Sequence, residues 1–181
     1  MIGLSSSKIP SRKSVGAVFS VAAFLVYSWT MYVSFRSLPS WLLFLNFAEI
    51  CSIYAYGFLV DFMESIMLLL FATVVSLALP RGWWMEKFVP KSVVLVVVMV
   101  VSAQIHIHVY RSPDVQKMLL DSQLVWWLVS LLIAIMLFWW VDVSVEFSQI
   151  LIDIADRVGV FVYIYLPLTI ASFFVVVLRI L

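Results

Sequence analysis

The chain has 181 residues, of which 65% are hydrophobic and only 12% are charged, and its formal net charge is +1. A soluble domain is about 45–50% apolar and about a quarter charged, so a water-soluble core cannot hide this apolar excess. The near-neutral charge gives no reason to expect nucleic acid as a partner. The single cysteine, Cys51, excludes an intramolecular disulfide.

The apolar residues form continuous runs, which predicts transmembrane helices. A transmembrane barrel is not favoured, because its strands alternate apolar and polar residues over about ten positions. We therefore expect an all-α, polytopic integral membrane protein whose first partner is the lipid bilayer. Residues 14–181 are predicted to form a single transmembrane helical domain that follows a basic N-terminal tail at residues 1–13.

The tail contains Lys8, Arg12 and Lys13 and no acidic residue. Because positive charge favours the cytoplasmic side, we expect the N-terminus to face the cytoplasm. The apolar run at residues 14–35 is longer than the 7–15 residues of a signal peptide and lacks a clear cleavage site, so it predicts a retained first span. A basic, serine-rich leader without acids is also typical of an organelle presequence, which is the alternative interpretation.

Residues 41–79 decide the number of spans. They contain only three charged side chains, Glu49, Asp61 and Glu64, and no proline. As one helix this run would be about 58 Å long, about twice the thickness of the hydrocarbon layer. A hairpin with its turn at residues 59–64 would instead place Asp61 and Glu64 at the membrane edge, which avoids an insertion cost of about 2.5–3.5 kcal/mol for a central aspartate.

The hairpin predicts a bundle of six transmembrane helices, and one long helix would give five. With five spans the eleven Lys and Arg residues divide seven to four between the two sides, and with six spans they divide six to five. The positive-inside rule therefore favours five, but we give the insertion cost more weight and expect six. The six predicted spans cover residues 14–35, 41–58, 62–80, 92–110, 124–141 and 158–180.

Proline and tryptophan mark the segments between these spans. Residues 36–40, which include Pro39, predict a turn after the first span. Residues 80–91 predict an interfacial loop, because prolines bracket it and Trp83 and Trp84 suit the headgroup region. Pro167 predicts a kink in the last span.

Residues 142–157 predict an amphipathic helix, because their polar side chains fall within an arc of about 100°. Interfacial helices usually carry basic residues on the polar face, whereas this face is acidic. It is either a solvated surface, a vestibule that attracts cations, or a docking site for a basic segment of a partner. The candidate docking residues are Asp142, Glu146, Asp153 and Asp156.

Glu49 lies within the apolar run in both the five-span and the six-span arrangement. Ionisable residues inside a membrane usually face the bundle interior or a water-filled path, which makes Glu49 the first candidate for an ion or proton pathway. Asp61 and Glu64 are further candidates, because on one continuous helix all three carboxylates would share an arc of about 120°. The competing interpretation of Glu49 is a structural carboxyl that hydrogen-bonds to a neighbouring helix.

His106 and His108 are the two histidines of the chain and the residues that a metal ion or haem would use. On a helix they point about 200° apart, so they cannot bind the same metal ion. We expect both near the membrane interface with a water or carbonyl partner, and the sequence predicts no cofactor.

The sequence contains no nucleotide-binding loop, catalytic serine motif, paired-histidine zinc motif or dinucleotide fingerprint, which argues against an enzyme. We expect a non-catalytic integral membrane subunit or accessory protein of a larger membrane assembly, with other membrane-protein subunits as its partners. The alternative is a small cation- or proton-coupled transporter or channel that uses Glu49.

Overall fold

The computed structural model describes residues 10–109 and 116–180, and every element within these ranges is helical, as predicted. Most of the basic tail, at residues 1–9, and the polar segment at residues 110–115 lie outside the described residues. Two short 3-10 turns, Met85–Lys87 and Gly159–Phe161, lie between the α-helices. The helices are α1 (Arg12–Phe44), α2 (Phe47–Ala78), α3 (Arg81–Trp84), α4 (Phe88–Val109), α5 (Gln116–Val143), α6 (Val145–Val158) and α7 (Val162–Ile180).

Five helical segments in the described ranges are long and apolar enough to cross a membrane, rather than six. The predicted hairpin is wrong, because α2 is helical from Phe47 to Ala78 without a turn at residues 59–64. The protein therefore matches the five-span alternative. The five segments are Arg12–Phe44, Phe47–Ala78, Met85–Val109, Ser122–Val143 and Val145–Arg179.

The continuity of α2 has a physical reason in the backbone. A break would leave up to four N–H and four C=O groups without helical partners, and the hydrocarbon layer offers no water to bind them. Residues 59–64 contain neither glycine nor proline, and the nearby Gly57 does not have a positive φ. Asp61 is accommodated by a hydrogen bond from the Thr30 hydroxyl of α1, at 2.6 Å.

The chain reverses direction between α1 and α2, at Leu45 and Asn46. The turn predicted at residues 36–40 is wrong, because α1 continues through Pro39. A capping box begins α2 at this reversal. The Asn46 side chain accepts from the Glu49 backbone N–H at 2.9 Å, and the Glu49 carboxylate accepts from the Asn46 backbone N–H at 2.8 Å. Because both amides would otherwise lack partners, the capping box explains why the helix begins here.

α1 is the central helix and packs against α2, α4, α6 and α7. Its buried face includes the small residues Ser20, Ala22 and Ala23, which let neighbouring helices approach closely. α7 packs against α2 as well as α1. In contrast, α5 packs mainly along α4 and touches α6, so it lies at the edge of the bundle.

The predicted amphipathic helix is present as α6, which begins three residues later than expected. Ser144 is its N-cap, and its hydroxyl accepts from the Phe147 backbone N–H at 3.2 Å. Its apolar side packs against α1 and α4 through Ala155, which contacts the cluster around Val21 and Val93. α6 joins α7 through a single 3-10 turn, so the two helices together form the last candidate span.

A continuous α2 predicts that Phe47 and Glu86 lie on opposite sides of the membrane, whereas the hairpin would place them on the same side. Both side chains are exposed. In a Cys51→Ser background, Phe47→Cys and Glu86→Cys should react with a membrane-impermeant maleimide from opposite faces of sealed vesicles of one orientation.

Met63→Cys is the control for this labelling experiment, because Met63 is exposed on the side of α2 about 24 Å from the first residue of the helix. It should be protected from both faces. Reaction of the variants at positions 47 and 86 from the same face would contradict a continuous α2.

Candidate functional site

α2 is long and apolar enough to cross a membrane and carries two carboxylates near its middle. The helix has 32 residues and is therefore about 48 Å long, with Asp61 about 21 Å and Glu64 about 26 Å from its first residue. A hydrocarbon layer about 30 Å thick covers both positions wherever it is placed along such a helix. In a bilayer that α2 crosses, both carboxylates would therefore lie at membrane depth.

Asp61 points into the bundle and is only 4% exposed. Its Oδ1 accepts the hydrogen bond from Thr30, and its backbone carbonyl accepts one from the Ser65 hydroxyl at 2.7 Å. Its Oδ2 is buried and has no hydrogen-bond partner within the described residues. Asp61 is thus a buried carboxyl group with one oxygen bonded and one oxygen unpaired.

The Tyr27 hydroxyl forms a second polar contact in the same part of the bundle. It donates to the Phe58 carbonyl of α2 at 3.2 Å and is hydrogen-bonded to the Thr169 hydroxyl of α7. The Tyr27 ring stacks on the rings of Phe58 and Tyr165, with centroid distances of 5.8 and 4.5 Å. These contacts tie α1, α2 and α7 together next to Asp61.

Glu64 points away from the bundle and is exposed on the side of α2. The surrounding surface is apolar and includes Val60, Met63 and Met67, which are 55%, 58% and 66% exposed. No salt bridge or hydrogen bond within the described residues reaches the Glu64 carboxylate. It is therefore a carboxylate at membrane depth whose surroundings in this chain are apolar.

Glu49 is not in the middle of a span, where the sequence predicts it. It lies in the first turn of α2, about 3 Å along the axis from the first residue. Its carboxylate is used in the capping box with Asn46. Of the three candidate pathway residues, Asp61 and Glu64 thus lie near the middle of α2, whereas Glu49 lies at its beginning.

The four acidic residues predicted to form one docking face do not share the same environment. Glu146, Asp153 and Asp156 are exposed on α6, and Asp153 accepts a hydrogen bond from the Gln149 amide at 2.9 Å. Asp142 lies in the last turn of α5 and is bound to Lys91 of α4. The acidic face of α6 therefore begins at Glu146.

Lys91 is a fully buried cation near the beginning of α4, whereas its sequence position predicts only the end of an interfacial loop. Its ammonium group lies 2.8 Å from Asp142 Oδ1 and 2.9 Å from Asp142 Oδ2. It also donates to the Trp83 carbonyl and lies 4.4 Å from the centroid of the Trp83 ring. The Trp83 indole N–H donates to the same carboxylate at 2.8 Å.

Lys87 reinforces this junction from the preceding turn. Its ammonium group donates to the carbonyl oxygens of Val141 and Asp142, at 2.7 and 3.1 Å. These are among the last carbonyls of α5 and have no partner within that helix, so a cation is favourable at this position. Lys87, Lys91 and Trp83 together fasten the end of α5 to the beginning of α4.

The two histidines lie on different faces of α4, as the helical pattern predicts. His106 is buried, stacks on Trp126 at a centroid distance of 5.0 Å and lies 3.3 Å from the Ser122 hydroxyl. His108 is exposed. In the part of the chain that the structure describes, no group of three or more His, Cys, Asp or Glu side chains could hold a metal ion.

No protein family, curated protein or solved structure matches this chain. Three features of the bundle could serve a function: the buried Asp61, the exposed Glu64 on the side of α2, and the acidic face of α6.

The Lys91–Asp142 pair gives a stability prediction. Asp142→Leu leaves the buried Lys91 ammonium without its carboxylate, and breaking a buried pair costs about 3–5 kcal/mol. We expect the lower end of this range, because the Asp142 side chain is 32% exposed. The measurement is thermal unfolding in detergent, followed by tryptophan fluorescence.

A second substitution separates the ion pair from packing effects. The double variant Lys91→Met/Asp142→Leu should be more stable than Asp142→Leu, because no uncompensated charge is left. Glu146→Leu, which removes an exposed acid from α6, is the control and should unfold near the wild-type temperature. A wild-type unfolding temperature for Asp142→Leu would contradict the prediction.

Proposed function

We propose that this protein is a non-catalytic subunit or accessory protein of a larger membrane assembly, and that it binds a partner through the side of α2 around Glu64. The observation that carries the proposal is the exposure of Glu64 at membrane depth. Ionisable residues in membranes usually face the bundle interior or a water-filled cavity, or pair with one another. Within the described residues, Glu64 faces neither the bundle interior nor a water-filled cavity, and it forms no ion pair. A second protein can supply a polar partner for its carboxylate.

The surface around Glu64 suits a transmembrane helix of a partner. A Lys, Arg, amide or hydroxyl group on that helix would pair with the carboxylate, and interhelical hydrogen bonds of this kind contribute about 1–2 kcal/mol in model helices. Met63 and Met67 flank Glu64, and methionine adapts its shape to different neighbours. The proposed interface thus combines one polar contact with adaptable apolar packing.

The acidic face of α6 is the second proposed contact. Glu146, Asp153 and Asp156 are exposed and have the charge that a basic segment of a partner would complement. Asp142 belongs to the same proposed surface, but its carboxylate already binds Lys91. The three residues of α6 are therefore the main acidic contacts in this proposal.

We also propose that the N-terminus faces the cytoplasm. With five spans the Lys and Arg residues divide seven to four between the two sides. The larger group lies on the side of the N-terminus and includes Arg12, Lys87 and Lys91. An excess of these residues is typical of the cytoplasmic side.

The subunit proposal predicts the effect of substitutions at Glu64. Glu64→Leu should weaken partner association by about 5–30-fold, the equivalent of about 1–2 kcal/mol. Glu64→Gln should have a smaller effect, because the amide keeps hydrogen-bonding capacity. The measurement is the amount of partner that copurifies from native membranes in mild detergent, relative to the wild-type chain.

Glu86→Gln is the matched control, because Glu86 is an exposed glutamate outside α2. It should leave copurification unchanged, and gel filtration with circular dichroism should show that all the variants are folded. Full recovery of every partner by a folded Glu64→Leu variant would contradict the proposal.

A cation- or proton-coupled transporter or channel is the second candidate function, with Asp61 in place of Glu49 as the central residue. The observation that favours it is the unpaired Oδ2 of Asp61 within the bundle. A carboxyl group in this position can bind and release a proton or cation if a path reaches it.

The transport candidate predicts that Asp61→Asn abolishes flux, because the amide cannot ionise but can still accept the hydrogen bond from Thr30. The measurement is ion or proton flux into liposomes that contain the purified chain and a fluorescent indicator. Glu49→Gln should retain flux, because Glu49 caps α2. Wild-type liposomes without flux, or a fully active Asp61→Asn variant, would contradict this candidate.

A further inference from the structure

A groove of about 280 Å³ lies on the side of the bundle between α4 and α5, next to Phe71 of α2. It exists because α5 packs along α4 but makes no comparable contact with α2. Its wall on α4 runs from Leu95 to Ile107 and its wall on α5 runs from Gln123 to Ala134. The groove therefore follows the two helices for about 17–18 Å.

We infer that this groove binds one acyl chain of a membrane phospholipid. Its length is close to the depth of a single leaflet, which is half of a hydrocarbon layer about 30 Å thick. Its volume of about 280 Å³ is spread over about 17 Å, which makes the groove long and narrow. This shape suits an extended hydrocarbon chain better than a partner helix, whose diameter is about 10–12 Å.

Three polar residues in the wall, Ser102, Trp126 and Ser130, bind one another, which leaves a largely apolar surface for the ligand. The Trp126 indole N–H donates to the Ser102 carbonyl and hydroxyl, at 3.0 and 2.8 Å. The Ser130 hydroxyl bonds to Ser102 and donates to the Trp126 carbonyl. A sugar or peptide would find few free hydrogen-bonding groups along this wall, whereas a hydrocarbon chain needs none.

One end of the groove is suited to a headgroup. His106 and Gln123 lie at the end near the connection between α4 and α5, and Trp126 and Trp127 are at the same level. Tryptophans concentrate at the boundary between hydrocarbon and headgroups. The acyl chain would therefore extend from this boundary toward Leu95, near the middle of the membrane. The phospholipid headgroup would lie beside Gln123.

The inference is tested with phosphatidylcholine that carries a photoreactive diazirine near the end of one acyl chain. The full chain is reconstituted in phosphatidylcholine vesicles with this probe, irradiated, and mapped by mass spectrometry. We expect crosslinks at the deep end of the groove, around Leu95, Met99 and Ala134. Labelling spread evenly over the lipid-facing helices would overturn the inference.

Ala103→Trp fills the groove, because Ala103 lies in its wall and is exposed. It should reduce crosslinking at the deep end at least fivefold. Ala171→Trp is the matched control, since Ala171 is exposed on α7, and it should leave this crosslinking unchanged. Equal crosslinking in the wild-type chain and a folded Ala103→Trp variant would overturn the inference.

Native mass spectrometry gives a second readout that does not depend on the photoreaction. After mild-detergent purification, the wild-type chain should retain one phospholipid more than either Ala103→Trp or the smaller change Ala103→Leu. A diazirine-labelled free fatty acid is tested in parallel. If it labels the groove and the phospholipid probe does not, the ligand is a free fatty acid and the assignment to phospholipid is wrong.

Discussion

In hydrocarbon, the backbone N–H and C=O groups must find hydrogen-bond partners within the protein. This requirement determines where the helices begin and end. A helix can stop only where its terminal N–H and C=O groups find other partners. Asn46 and Glu49 provide them at the beginning of α2, Ser144 at the beginning of α6, and Lys87 at the end of α5. No cap forms at residues 59–64, where Asp61 accepts a hydrogen bond from Thr30 of α1 instead, and α2 continues past them.

The position of the carboxylates follows from this backbone constraint. Because α2 cannot stop, it carries Asp61 and Glu64 at membrane depth, and the bundle accommodates only one of them. Asp61 faces Thr30, whereas Glu64 faces outward beside Met67. Phe71, at the wall of the groove, follows Glu64 by seven residues and thus lies two turns along nearly the same face. The proposed protein contact and the proposed lipid contact therefore adjoin on one side of the molecule.

The helical class, the amphipathic helix near the C-terminal end and the opposite faces of His106 and His108 could all be predicted from local patterns. The number of spans was predicted wrongly, because the insertion cost of Asp61 was given more weight than the Lys and Arg distribution that favours five. The insertion cost of Asp61 can be estimated from sequence, but its hydrogen bond to Thr30 depends on the register between α1 and α2. Lys91 and Asp142 are 51 residues apart, so their pairing likewise depends on how α4 and α5 align. The spacing of Asn46 and Glu49 is a capping pattern that can be recognised from the sequence. The apolar residues around Glu49 nevertheless led to the prediction that it lies in the middle of a span.

The junction between Lys91 and Asp142 is one of two places at which α5 is fastened to α4. Lys87, Lys91 and Trp83 hold the C-terminal end of α5. Trp126, 16 residues away and about 24 Å along the helix, bonds to Ser102 of α4. The two helices are thus coupled along most of their length although α5 lies at the edge of the bundle. A displacement of α4 would therefore carry α5, and the groove between them, with it.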